Sequence, residues 1–324
     1  MNPASDDIVT PPPDIAVNEC VELGVLARGN GWDTDYRQVT SGKFESRLKL
    51  YASSKIRLTE HRCNQKMLVA GTPPPGHVGV VLPLNQQDKG LFQGRAPAPN
   101  ELCLISQQSE VYFQTPDGLR MVIATIPVSR LNQCLAITAD RDVDQCLEKS
   151  RIITLNKSLI TDLEASISCA IRLGQSEHHR DSFDVCLQEI EDHIISSLCR
   201  GMTPPVALER GARGRANRLR YLSRAQSFIA ENLGAALSLE SIALAVETSP
   251  RTLEVAFREV LNITVVQYIK CYRLNAVKNQ LLKHKGSQVR VKSVALDYGF
   301  WHLGRFAQDY HSLFNEYPSQ TLGT

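Results

Sequence analysis

Two short stretches in the last quarter of the chain carry side chains suited to reading the edges of paired bases. In the first, Arg251, Glu254, Val255 and Arg258 recur at helical spacing, opposite Leu253, Phe257 and Val260. In the second, Gly304, Arg305 and Gln308, flanked by Leu303 and Ala307, lie opposite Phe306, Tyr310, Leu313 and Phe314. An arginine fork fits guanine O6/N7, a glutamine amide fits adenine, a carboxylate accepts from cytosine N4, and an aliphatic side chain meets a thymine methyl. Gly304 carries no side chain and lets a helix backbone approach a groove wall. Ser249 and Thr252, at the start of the first stretch, complete the set of candidate DNA contacts.

The elements that must hold these residues repeat one grammar. Leu239–Val246 reads as a short helix capped by Ser238, followed by the turn Glu247-Thr248-Ser249 and a longer helix from Pro250 to Val260. Serine before proline is a helix start: the hydroxyl takes an orphan amide, and proline at the first helical position sacrifices none. Val291–Tyr298 reads as a second short helix, broken by Gly299, with another helix starting at once. A short helix, a tight turn and a longer helix, twice over in a basic segment, predict a double helix-turn-helix.

Between the two units, residues 265–283 read as one helix on the stripe Val266, Ile269, Leu274, Val277 and Leu281. Its roughly 19 residues would span about 28 Å, close to the ~34 Å turn of duplex DNA, which would bring both longer helices to successive major grooves. Lys270, Arg273, Lys278 and Lys283 ride on it, with Arg273 favoured as an internal partner. Trp301 and His302, beside the second turn, are read as packing or phosphate-contacting residues.

Residues 219–322 resemble the DNA-binding domain of the AraC/XylS family of bacterial transcription regulators. The resemblance rests on Leu239, Ile242-Ala243, Ser249-Pro250-Arg251-Thr252-Leu253 and Phe257, then Tyr268-Ile269 and Arg273-Leu274. It continues through Val294-Ala295, Gly299-Phe300, Phe306, Tyr310, Phe314 and Pro318-Ser319. Asn262 and Asn315 stand where the family usually has glycine, and Val265 where proline is common. Asparagine tolerates the left-handed conformation, so both turns stay buildable. The stretch Phe300–Phe306 is similar to the ethanolamine-utilisation regulators. The resemblance implies a cytoplasmic transcription regulator or activator that binds double-stranded DNA, senses a small-molecule effector through a cupin-like N-terminal half, recruits RNA polymerase and forms a homodimer.

Composition agrees with a two-part chain. At 324 residues it is long for one core. Residues 210–324 hold 16 Lys+Arg against 8 Asp+Glu, and residues 1–209 hold 20 against 26, so the basic surface belongs to the C-terminal part. Nine scattered cysteines lack metal-ligand or redox spacing and read as small buried hydrophobes in a reducing compartment. No run is long and apolar enough for a membrane span or signal peptide, and the expected location is the cytoplasm.

The fold class expected is α+β. Residues 1–16 read as a disordered lead-in, and 17–150, with short apolar runs punctuated by Gly/Pro/Asn clusters, as an antiparallel barrel or jelly roll, which the resemblance implies is a cupin-like sensor barrel. Residues 151–200 carry two apolar stripes (Ile152, Leu155, Leu159, Leu163, Ile167, Ile171, and Leu187, Ile190, Ile194, Leu198) and read as a helical hairpin around Gly174. It would serve barrel packing or dimerisation. Residues 201–218 read as a linker whose arginines are solvated or add phosphate contacts, and 219–324 as the DNA-binding domain. The competing class is an enzyme, a cupin-like metalloenzyme or a DNA-repair protein fused to the same reader. His61-Arg62-Cys63 lacks the ligand spacing of metal cupins, His178-His179 has no partners, and no cysteine has the setting of the repair proteins. No catalytic residue, metal or cofactor is therefore expected.

Overall fold

The short alternating or apolar runs before residue 130, separated by turn formers, are expected to be strands. In the computed structural model, which describes residues 13–323 apart from 53–55, 86–87, 139–150, 175–179 and 203–211, they form two antiparallel sheets. The strands are β1 (Asp14–Val17), β2 (Asp33–Gln38), β3 (Ser46–Ala52), β4 (Arg57–Cys63), β5 (Met67–Thr72) and β6 (His77–Pro83). They continue with β7 (Leu91–Phe92), β8 (Glu101–Ile105), β9 (Val111–Gln114), β10 (Leu119–Pro127) and β11 (Arg151–Thr154). The larger sheet runs β1-β3-β4-β10-β6-β8-β11 and the smaller β2-β5-β9-β7. Neither sheet closes on itself: where the sequence suggested an antiparallel barrel or jelly roll, the strands form two open sheets face to face.

Alternation sorts the side chains cleanly. Val81, Cys103, Ile105 and Met121 of the larger sheet meet Met67, Val69, Val111 and Phe113 of the smaller. On its other face the larger sheet presents Val80, Leu82, Leu102, Leu104, Val122 and Ala124 to helices. Those helices are α2 (Val128–Thr138), α3 (Lys157–Leu173) and α4 (Arg180–Met202); α1 (Cys20–Gly29) packs beside β2. Ile160, Leu163, Ile167 and Ala170 of α3 and Leu187, Ile190, Ile194 and Leu198 of α4 are buried in that layer. The apolar stripes of the hairpin thus cover the sheet. Residues 151–154, read from sequence as the start of the first hairpin helix, instead pair with β8, and α3 starts after Asn156, whose side chain accepts from the Ser158 amide at 3.1 Å.

The outer face of the smaller sheet is covered by the C-terminal helices. Leu68 and Tyr112 join one core with α5 (Ala212–Glu231), α6 (Leu239–Ala245), α7 (Pro250–Leu261) and the first part of α8 (Val265–Lys283). A separate core gathers the rest of α8 with α9 (Val291–Asp297), α10 (Leu303–Phe314) and α11 (Pro318–Leu322). The order of layers is helices, sheet, sheet, helices.

Helix α5 begins at Ala212, so part of the stretch read as linker is helical; there Arg218 pairs with Glu259 at 2.7 Å. Of the residues read as a lead-in, 1–12 lie outside the described residues and Asp14–Ala16 pair with β3. Cys20, Cys63, Cys103 and Cys199 are buried, and Cys146 lies outside the described residues. Among the described residues no helix is long and apolar enough to cross a membrane.

Leu163, 1 % exposed at the centre of the hairpin layer, tests that packing. Leu163→Ala is expected to lower unfolding stability by about 2–5 kcal/mol in a denaturant titration, the range for a buried leucine truncated in a close-packed core.

Candidate nucleic-acid interface and ligand cavity

The first unit is assembled by caps. Ser238 accepts from the Ser241 amide at 3.1 Å and its own amide donates to the Ser241 hydroxyl at 3.0 Å, closing a capping box on α6. Glu247 adopts φ +57 in the turn and the Thr248 amide returns to the Ala243 carbonyl at 2.9 Å. Ser249 then caps α7 by accepting from the Thr252 amide at 3.1 Å, with Pro250 at the first helical position. Leu253, Ala256, Phe257, Val260 and Leu261 are buried, which leaves Arg251, Val255 and Arg258 exposed. Glu254 is half-buried: it accepts from Arg258 Nε at 3.0 Å and from the Val265 amide at 3.3 Å, tying α7 to the start of α8.

The second unit repeats this geometry without side-chain caps. Gly299, at φ +78, makes the turn, where a Cβ would stand 3.0 Å from the Arg273 guanidinium. Phe300, Phe306, Tyr310 and Phe314 stack in sequence with ring centroids 4.9, 5.7 and 4.7 Å apart. Gly304, Arg305 and Gln308 are exposed on α10, and Leu303 and Ala307 are half-buried. Trp301, 66 % exposed, is not packed into a core. Asn262 and Asn315 close the two longer helices in the left-handed conformation, at φ 52 and 56.

The connecting helix α8 has the predicted bounds, 265–283, but Val266, read as part of its apolar stripe, is exposed, and its cations are mostly engaged within the chain. Lys270 pairs with Asp309 at 2.5 Å, and Arg273 donates to the Leu233 and Ala235 carbonyls at 2.8 and 2.5 Å. Lys278 is buried between Glu19 at 2.7 Å and Glu316 at 3.0 Å. Of the four, Lys270 and Lys283 are exposed, Lys270 while paired with Asp309. Charge counting along the sequence could not separate these, because the partners come from distant segments.

A second feature was not legible as a site in the sequence. Between the sheets lies a cavity of about 120 Å³ bounded by Leu23, Leu26, Trp32, Tyr36, Leu48, Val69, Phe113, Met121 and Ile123. Polar groups at its wall include Thr34, Thr59, His61 and Thr125, with Arg57 among the lining residues. Trp32 Nε1 donates to Thr125 Oγ1 at 3.3 Å, and His61 Nε2 lies 3.0 Å from Ser46 Oγ. Burial lowers the His61 pKa to about 4, so the ring is neutral at neutral pH. His178 and His179 fall outside the described residues.

Comparison with known proteins now bears on this arrangement. The helix-turn-helix domain family matches residues 242–324. A XylDLEGF operon transcriptional activator 1 of Pseudomonas putida is 34 % identical over 225 residues, covering 69 % of this chain and 67 % of that protein. The chain belongs to the AraC/XylS family. It is a sequence-specific DNA-binding transcription regulator. XylDLEGF operon transcriptional activator 2 of the same species is 41 % identical over 99 residues, 31 % of this chain and 63 % of that protein. The solved structure of the AraC-like transcriptional activator CuxR covers 81 % of this chain and 94 % of its own at 15 % identity and a TM-score of 0.43.

Two outcomes are expected. A Cβ at Gly304 meets nothing within 4 Å, so nothing inside the regulator requires glycine there. Gly304→Ala should stabilise the free protein by about 0.5–1 kcal/mol in thermal melts while weakening DNA binding in titration. His61, with its folded pKa below the ordinary 6.5, contributes stability that is present above pH ~6.5 and lost as pH falls toward ~4, by up to about 3 kcal/mol. His61→Gln should flatten that part of the stability–pH curve.

Proposed function

We propose that this regulator is a ligand-responsive transcription activator. Its sheet half takes up a small effector, and its C-terminal half places α7 and α10 in the major groove of double-stranded DNA. Arg251, Arg305 and Gln308 read base edges, Val255 meets a thymine methyl, and Gly304 lets α10 sit close to the groove wall. Ser249, Thr252, Arg258, Leu303 and Ala307 line the contact, and Glu254 orients Arg258. The Pseudomonas putida relatives are operon transcriptional activators, which supports activation and with it an encounter with RNA polymerase.

The cavity carries the sensing half of this reading. An apolar cavity of about 150 Å³ engineered into another protein stays dry and binds benzene, and the volume here is similar, about 120 Å³. The fitting effector is a compact, mostly apolar molecule with at most a polar edge for Thr34, Thr59 or Thr125. Self-association would use the outward faces of α3 and α4, where Val185 is exposed, since their inner faces cover the larger sheet. A homodimer should double the mass seen by light scattering on DNA-free protein.

The decisive experiment is selection of bound sequences from a random duplex pool, repeated with candidate apolar metabolites. A selected operator whose occupancy changes with one metabolite supports the reading; an operator bound identically with every apolar ligand that stabilises the protein would sink the sensing half. On that operator Arg305→Ala should cost about 1–3 kcal/mol and relax preference at one base pair. An equal loss on random DNA would reduce Arg305 to a phosphate contact.

A further inference from the structure

The two reading helices belong to different cores. Helix α7 is buried in the core shared with the smaller sheet, α10 in the separate core of the second unit. Within the C-terminal half they are joined through α8, whose Tyr268 and Ile269 lie in the first core and whose Leu274 and Val277 lie in the second. A single helix passing between two cores sets the distance between units better than it sets their relative rotation.

The sheet half touches the same end of both reading helices. At the C-terminus of α7, Gln114 Nε2 donates to the Leu261 carbonyl at 2.8 Å. In the last turn of α10, Gln38 Nε2 and the Gly42 amide both donate to the Leu313 carbonyl at 3.0 Å. These are carbonyls of the kind a helix end leaves without an intrahelical partner. Between them Asn275 of α8 is bonded to the Gln38 backbone on both sides, at 3.1 and 3.0 Å. Backbone contact is close as well: a Cβ at Gly94 would stand 2.9 Å from the Glu259 carbonyl of α7.

We propose that the smaller sheet is a splint that fixes the separation and angle of the two reading helices, with Gln114 and Gln38 as positioning residues for the spacing between the two halves of an operator. The splint acts on α7 through β9 and on α10 through the end of β2, strands that share one sheet through β5. Operator spacing is thus read by residues that touch no DNA. The inference rests on both α7 and α10 entering grooves.

The test uses the full chain and the operator selected above, with one base pair inserted or removed between its halves. One base pair moves the second half by about 3.4 Å and about a tenth of a turn. The unaltered protein should lose about tenfold or more in affinity for either shifted operator, measured by fluorescence anisotropy. The double variant Gln38→Leu/Gln114→Leu should bind all three operators within about threefold of one another. Leu163→Ala, destabilising but remote from the clamp, should keep the full spacing penalty. Gly94→Ala retains both glutamine donors and presses on the end of α7; it should shift the preferred spacing, and it serves as the test should the double variant not fold. A double variant that keeps the tenfold penalty, or a Leu163→Ala chain that loses it, overturns the splint. An unaltered chain that selects a single contiguous half-site shows instead that one helix reads alone, and the reading beneath this inference falls.

Discussion

Both sheets of this regulator bury apolar side chains on both faces, and a sheet in that condition must be covered twice. The larger sheet meets the helical hairpin on one side and the smaller sheet on the other. The smaller sheet has no hairpin of its own. Leu68 and Tyr112 on its outer face are covered by α5, α6, α7 and the first part of α8. The C-terminal half is therefore part of the cover of the sheet half, and the two cannot separate without exposing Leu68 and Tyr112 to water.

Polar contacts then orient what the apolar contact brings together. Arg37 lies over the Tyr272 ring at 3.6 Å and donates to the Tyr268 hydroxyl at 2.9 Å, while Lys278 reaches Glu19 ahead of α1. Arg37 and Gln114 each follow a cavity-lining residue in sequence. Tyr36 and Phe113 line the cavity, and their neighbours Arg37 and Gln114 face the C-terminal helices. Because successive residues of a strand point to opposite faces, the cavity wall and the contact with the reading half are the two sides of the same strands.

The two longer helices α7 and α10 are buried at the back and open at the front. Each longer helix buries matching positions, Leu253, Phe257 and Val260 in one and Phe306, Tyr310 and Leu313 in the other. The front of each keeps Arg251 or Arg305 exposed. Glu254, which in sequence reads as one more outward polar residue, spends both oxygens inside the chain on Arg258 and the Val265 amide. Its helical position was legible; its partners were not, because one of them is the backbone of the next helix.

What the sequence determined by itself is local. Caps, turn residues and the 3.6-residue stripe are interactions among near neighbours, so the two helix-turn-helix units, the bounds of α8 and the left-handed asparagines were readable residue by residue. So was the strand alternation. What only the tertiary structure decided depends on segments far apart in the chain: that the strands stop as two open sheets, that a cavity remains between them, that residues 151–154 complete a sheet edge, and that Lys278 is buried between Glu19 and Glu316 rather than offered to phosphate. A side chain's periodicity says which face it is on. Only the packing of another layer says whether that face meets water, a neighbour or empty space.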